Sequence, residues 1–265
     1  MTEPGNSWLK HHRLIAFYVL AFLLSWYPWL LALLRHTTSG PNPLGPFVAA
    51  IVITAATEGK TGLGVFFRRL IRCRFGIQWY LLVLLVPPLI CVLAATITIG
   101  LAGSRQQTLR LPTPHEWSDS VDRFILIFFF IALGEEPGWR GFALPHLQKT
   151  FSPLQASFLL APVWALWHLP LIGNEFPWPI VPAFVISVFG GTLFQTWLFN
   201  RTNESVLIEM ILHAVVNTVG AGLLFPQFKG TPLVVLWSIY AILWFAAGLS
   251  VLIFSSDRRT RQQLN

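Results

Sequence analysis

Two adjacent carboxylates, Glu135 and Glu136, close a strongly apolar run from Phe124 to Leu133, and Arg140 follows one helical turn later. A charge near the bilayer centre costs roughly 2.5–3.5 kcal/mol on insertion scales, so intramembrane carboxylates normally face a protein interior and carry function. On a helix, Glu136 and Arg140 are i,i+4 neighbours with the acid first, the favourable order for an ion pair. Glu135 points about 100° away and has no partner in its own segment. Between them Pro137 removes a backbone donor and is expected to bend the helix, while Gly138 permits close backbone approach. The bland alternative is that both acids only lock helices together through Arg140 and other partners.

Two further polar groupings interrupt apolar segments downstream. Trp164 and His168 lie four apart, with Pro170 marking the end of regular helix. His213 and Asn217 are again i,i+4, and Glu209 sits one turn earlier on the same stripe. Alone, each admits a packing role: a satisfied histidine, or a seam of interhelical hydrogen bonds, since every buried polar group in lipid needs a partner. Gln195 reads as packing glue. Together they place a free carboxylate, two histidines and an asparagine on three segments of one apolar interior. General-base activation of water needs a carboxylate or imidazole, and the resulting oxyanion needs preorganised donors such as His or Asn. The set supplies both, and peptide-bond hydrolysis is the obvious reaction.

The elements that must position these residues are transmembrane helices. Of 265 residues 54% are hydrophobic and 11% charged, and the apolar residues come in long blocks. A spanning helix needs about 20 mostly apolar residues. Candidates fall at about 14–34, 44–57, 77–101, 121–144, 153–172, 178–199, 205–225 and 232–254. The second is short by hydropathy, and the fourth and seventh are interrupted by ionisable residues. The run Leu14 to Leu34 is too long for a signal-peptide core and lacks a small-residue cleavage site. The stretches 58–76 and 102–120 are too short to bury a core of their own, so residues 1–265 read as a single transmembrane domain. Trp8, Trp26, Trp29, Trp79, Trp117 and Trp178 lie near helix ends and suit interfacial anchoring.

Charge suggests the orientation. Lys10, Arg13, Lys60, Arg68, Arg69, Arg72, Arg74, Arg140, Lys149, Arg201, Arg258, Arg259 and Arg261 fall on one set of alternate connections. Arg35, Arg105, Arg110, Arg123 and Lys229 fall on the other. The positive-inside rule then puts both termini in the cytoplasm. The net charge of +7 is therefore a topology signal. A nucleic-acid partner would need basic residues on one folded face with interleaved aromatics, and these are scattered. Cys73 lies in the basic connection and Cys91 inside the third helix, with no metal or redox spacing.

The elements EExxxR (Glu135, Glu136, Arg140), aromatic-xxx-His (Trp164, His168) and HxxxN (His213, Asn217), in this order over about 80 residues, resemble the CAAX prenyl endopeptidase and bacteriocin-processing family of intramembrane proteases. That family is also called Abi or type II CAAX protease-like. The flanking RGFALP from Arg140 and WHLP around His168 are similar to it too. The resemblance covers residues 121–225. One position departs: the second element usually begins with Phe, and here it is Trp164.

The resemblance implies an all-α polytopic membrane protein, a bundle of about eight transmembrane helices around a polar cavity open to the cytoplasm. It implies that Glu135 and His168 activate water while His213 and Asn217 support the oxyanion, with Glu136 and Arg140 in support. Family members have also been described as metal-dependent. HExxH is absent, but Glu135, His168 and His213 form an acceptable zinc set; the metal-free mechanism is favoured. The substrate would be a membrane-bound peptide or protein in the bilayer, either CAAX-type or a bacteriocin leader, and the short loops lean toward a prokaryotic plasma-membrane enzyme. Two other readings remain: a non-catalytic adaptor or immunity protein on the same scaffold, and a proton-coupled transporter. Helix rise raises one tension. At 1.5 Å per residue Glu135 lies roughly 13 Å and His213 roughly 12 Å from the inner ends of their helices, but His168 roughly 24 Å. The three meet only if the fifth helix begins below the membrane surface or the helix bounds differ from those given, and we take the bounds to differ.

Overall fold

The computed structural model describes the backbone of residues 4–102 and 109–263, and side chains over 8–101 and 109–254. Arg105 and the side chains of Arg258, Arg259 and Arg261 lie outside the described residues. The chain is an all-α polytopic membrane protein. A short helix α1 (Pro4–His11) leads into α2 (Arg13–Leu34), α3 (Gly45–Leu70) and α4 (Ile77–Ala102). Next comes α5, a continuous helical run over 114–147. Then follow α6 (Pro153–Trp167), α7 (Val181–Arg201), α8 over 206–224 and α9 (Thr231–Gln263). Among the described residues, seven helices are long and apolar enough to cross a membrane. The eighth expected span, 121–144, lies within α5, whose hydrogen bonding switches to the π-helical pattern at two places along its length.

Those changes surround the acidic pair. Residues Ile127–Ala132 and Pro137–Ala143 are π-helical, and the short α-helical stretch Leu133–Glu136 between them carries both glutamates. Pro137 keeps helical dihedrals, φ −60° and ψ −36°. The missing proline donor is thus absorbed by a widened turn rather than a break in the helix. Such π-turns collect at functional sites. A second difference lies in α3, which runs past the expected 57 to Leu70 and is interrupted only at Gly59, φ +65°.

Gly134 and Gly138 let α5 lie backbone-to-backbone on the start of α3. A Cβ at Gly138 would meet the Pro46 main chain at 2.7 Å. Alanine in a helix gains about 0.8–1 kcal/mol over glycine, but overpacking a tight contact costs about 1–3 kcal/mol. Because the obstructing atoms are backbone, the cost should win. Gly138→Ala is expected to lower the thermal midpoint in detergent, and an unchanged or raised midpoint would refute the close approach.

Two apolar clusters flank the site. One gathers α2, α3, α5 and α6 around Phe17, Phe66, Trp139 and Phe142; the other gathers α4, α7, α8 and α9 around Phe184, Phe194, Trp237 and Trp244. Trp164 touches both. The spans of α7 and α8 are the most buried and α2 the least. Its exposed Leu23, Leu30 and Leu33 suit a lipid-facing helix.

The alternating helices define two ends. At the first, Arg69 donates to Glu204 at 2.7 Å and Ser205 Oγ donates to the Arg72 carbonyl at 2.6 Å. Glu58 bridges Arg13 and His146 there, each at 2.9 Å. At the second end Arg110 is paired bidentately with Glu116, and its amide donates to Gln227. There too Gly40 approaches Leu171. The first end gathers the connections with most of the lysines and arginines. Arg140, assigned to them by sequence, is instead fully buried beside Glu136.

Candidate active site

The wide turns of α5 aim both glutamates inward. Glu136 is fully buried and holds three partners: Arg140 donates to it at 3.2 Å, His213 Nδ1 lies 2.7 Å away, and Gln195 Nε2 donates at 3.4 Å. Arg140 also donates to Gln195 Oε1 and stacks over the Trp164 ring, 4.0 Å from its centroid. The expected Glu136–Arg140 pair is therefore present, inside a wider network. Gln195, expected only as packing glue, closes that network between the pair.

Glu135 is 2% exposed, and its partner comes from α6: Trp164 Nε1 donates to Oε2 at 2.9 Å. A phenylalanine at this position could not make that bond. The departure from the family pattern thus adds a donor to one carboxylate oxygen and leaves the other available. His168, just past the end of α6, donates from Nδ1 to the Trp164 carbonyl at 2.8 Å, which leaves Nε2 as an acceptor when the ring is neutral. Asn217 opens the π-helical second half of α8, Asn217–Leu224.

Glu135, His168, His213 and Asn217 line one cavity of about 660 Å³, within the range usual for ligand sites. Trp164 and Gln195 line it too, and an aromatic wall of Phe176, Phe184, Trp237, Tyr240 and Trp244 completes one side. The helix-rise tension resolves as expected, through helix bounds that differ from those read in the sequence. The start of α6 stays at Pro153, fixed by a Ser152–Gln155 capping box. Instead α5 continues to Leu147, which places Glu135 roughly 18 Å from its end. The start of α8 is also sunk into the fold, with Thr202, Ser205 and Val206 fully buried.

Sequence reasoning missed the partnership between Glu136 and His213, 77 residues apart. Their only sequence signal is that a buried histidine needs an acceptor. Trp26, expected at the interface, donates to the Trp167 carbonyl at 3.0 Å and ties α2 to the end of α6. Glu209 is fully buried near Glu136, Arg140 and Gln195. Among the described residues, no three His, Cys, Asp or Glu side chains are grouped so as to hold a metal ion. Glu135, His168 and His213 thus line the cavity without making a ligand set.

Residues 117–219 match the family described as Type II CAAX prenyl endopeptidase Rce1-like. This segment is similar to the CAAX protease-like family. It contains every polar residue of the site, from Glu135 to Asn217. The chain is also 27% identical over 190 residues to CAAX prenyl protease 2 of Methanococcus maripaludis, an alignment that covers 67% of this chain and 69% of that protein.

Proposed function

We propose that the chain is a membrane-embedded endopeptidase of the CAAX protease type, hydrolysing a peptide bond in a membrane-associated peptide. The observation that carries this is the convergence of Glu135, His168, His213 and Asn217, from three helices, on one cavity. A water held between the free oxygen of Glu135 and Nε2 of His168 attacks the scissile carbonyl, and its proton passes to one of these two groups. The tetrahedral oxyanion accepts hydrogen bonds from the Asn217 amide and from Nε2 of His213, which acts as an imidazolium whose Nδ1 donates to Glu136. The stored proton then goes to the leaving amine as the C–N bond breaks. No step is routed through a metal, because the residues present do not assemble a ligand set.

The substrate is a CAAX-type protein or a leader peptide that keeps its scissile segment within the membrane. The aromatic wall beside the catalytic groups suits apolar side chains or a lipid chain. Purified protein in proteoliposomes, given a library of lipid-anchored peptides and a chelator, should release fragments detectable by mass spectrometry. Absence of cleavage across the library, or loss of cleavage on chelation, would overturn the proposal as stated.

Asn217→Ala should lower kcat by about 10²–10³, the 2.7–4 kcal/mol typical of one oxyanion donor, with KM little changed. Combining it with His213→Ala should be less than additive, because the two act as one unit. A variant altered mainly in KM would place Asn217 in substrate binding instead.

A further inference from the structure

One residue of α6, Trp164, touches most of the polar groups around the cavity. Its indole Nε1 donates to Glu135 Oε2 at 2.9 Å, and its carbonyl accepts from His168 Nδ1 at 2.8 Å. Arg140 stands over its ring face, 4.0 Å from the centroid. The His213 ring lies across from it, with centroids 6.3 Å apart and planes inclined at 62°. The two glutamates differ in how they are held. Glu136 is bonded to Arg140, Gln195 and His213, so loss of one partner leaves two. For Glu135 the indole is the one hydrogen-bond partner among the described residues.

We infer that the Trp164 N–H is a positioning group for the catalytic base: it fixes the Glu135 carboxylate so that the unbonded oxygen serves the water shared with His168. A glutamate ends in a soft, roughly two-fold torsion beyond two staggered ones, so burial alone does not decide where its oxygens point. Tying Oε2 to α6 sets the carboxylate plane and commits the other oxygen to the cavity. Misplacing a reacting group by about 1 Å can cost about 10²-fold in rate. Arg140 contributes at one remove. Its guanidinium over the ring face holds the indole plane, and its charge draws electron density from the ring, which makes the N–H a better donor. Because the carbonyl of the same residue orients His168, both groups that share the water take their relative positions from Trp164. Phenylalanine supplies the ring without the donor, so the anchoring belongs to the indole and not to the aromatic position as such. The inference rests on the proteolytic reading, since positioning a base has meaning only for a reaction.

The test separates the N–H from the bulk of the ring. Trp164→Phe removes the donor and part of the ring. Benzothienylalanine, placed at position 164 of the full chain by amber suppression, keeps the two-ring shape with sulfur where the N–H was. Cleavage of lipid-anchored peptides in proteoliposomes gives kcat and KM for each. Both replacements should lower kcat by about 10- to 100-fold, the range expected for losing one hydrogen bond to a charged group, with KM little changed. A purely structural ring follows volume instead: the benzothienyl chain would match the native kcat while Trp164→Phe lost activity, and that result overturns the inference. So does a loss confined to KM, which makes Trp164 a wall of the cavity, and so does failure of the benzothienyl chain to fold, which makes the bond structural. Should Trp164→Phe not fold, the benzothienyl chain decides alone. If the native chain cuts no peptide, the proteolytic reading fails and this inference with it. If native and benzothienyl chains cut equally fast, only this inference fails.

Discussion

Glu135→Gln is expected to abolish proteolysis while leaving the protein folded. The amide keeps an acceptor for the Trp164 indole, 2.9 Å away, so the packing between α5 and α6 survives. It cannot take a proton from water, and losing a general base typically costs about 10²–10⁴ in rate. The variant should elute as wild type from a sizing column in detergent and melt within a few degrees of it. Near wild-type turnover would show that another group is the base.

The effect of Arg140→Ala should fall on stability. The guanidinium is fully buried and bonded to both Glu136 and Gln195, with its face against Trp164. Removing it strands a carboxylate away from water, and breaking such a buried pair costs about 3–5 kcal/mol. That is a large share of the 5–15 kcal/mol typical of folded proteins, so membrane yield and thermal midpoint should both drop. Glu136→Gln in the same chain should restore part of the loss if the pair is the cause. An unchanged midpoint for Arg140→Ala would mean that the charges are solvated.

Which parts of this site are legible in the sequence depends on the separation of the partners. The pairing of Glu136 with Arg140 is local, fixed by helix geometry, and can be read directly. The bonds from Trp164 to Glu135 and from His213 to Glu136 join residues 29 and 77 apart and need the bundle to be known. The spans were legible because lipid demands long apolar runs. The second span was underestimated because α3 continues to Leu70 through Lys60, Arg68 and Arg69, residues that hydropathy assigns to a connection. The π-turns of α5 leave only Pro137 as a trace. Depth was misjudged because counting residues assumes that every helix starts at the membrane surface, whereas α8 begins inside the fold.

The most direct measurement of the central claim, that Glu135 and His168 activate one water, is the initial cleavage rate in proteoliposomes for four chains. These are the wild type, Glu135→Gln, His168→Ala and the double variant. Groups that act as one unit are strongly non-additive in catalysis. The account predicts that each single variant loses about 10²–10⁴ and that the double variant is no slower than the slower single. A single variant that turns over like wild type, or a double variant whose loss is the full product of the two, would contradict it.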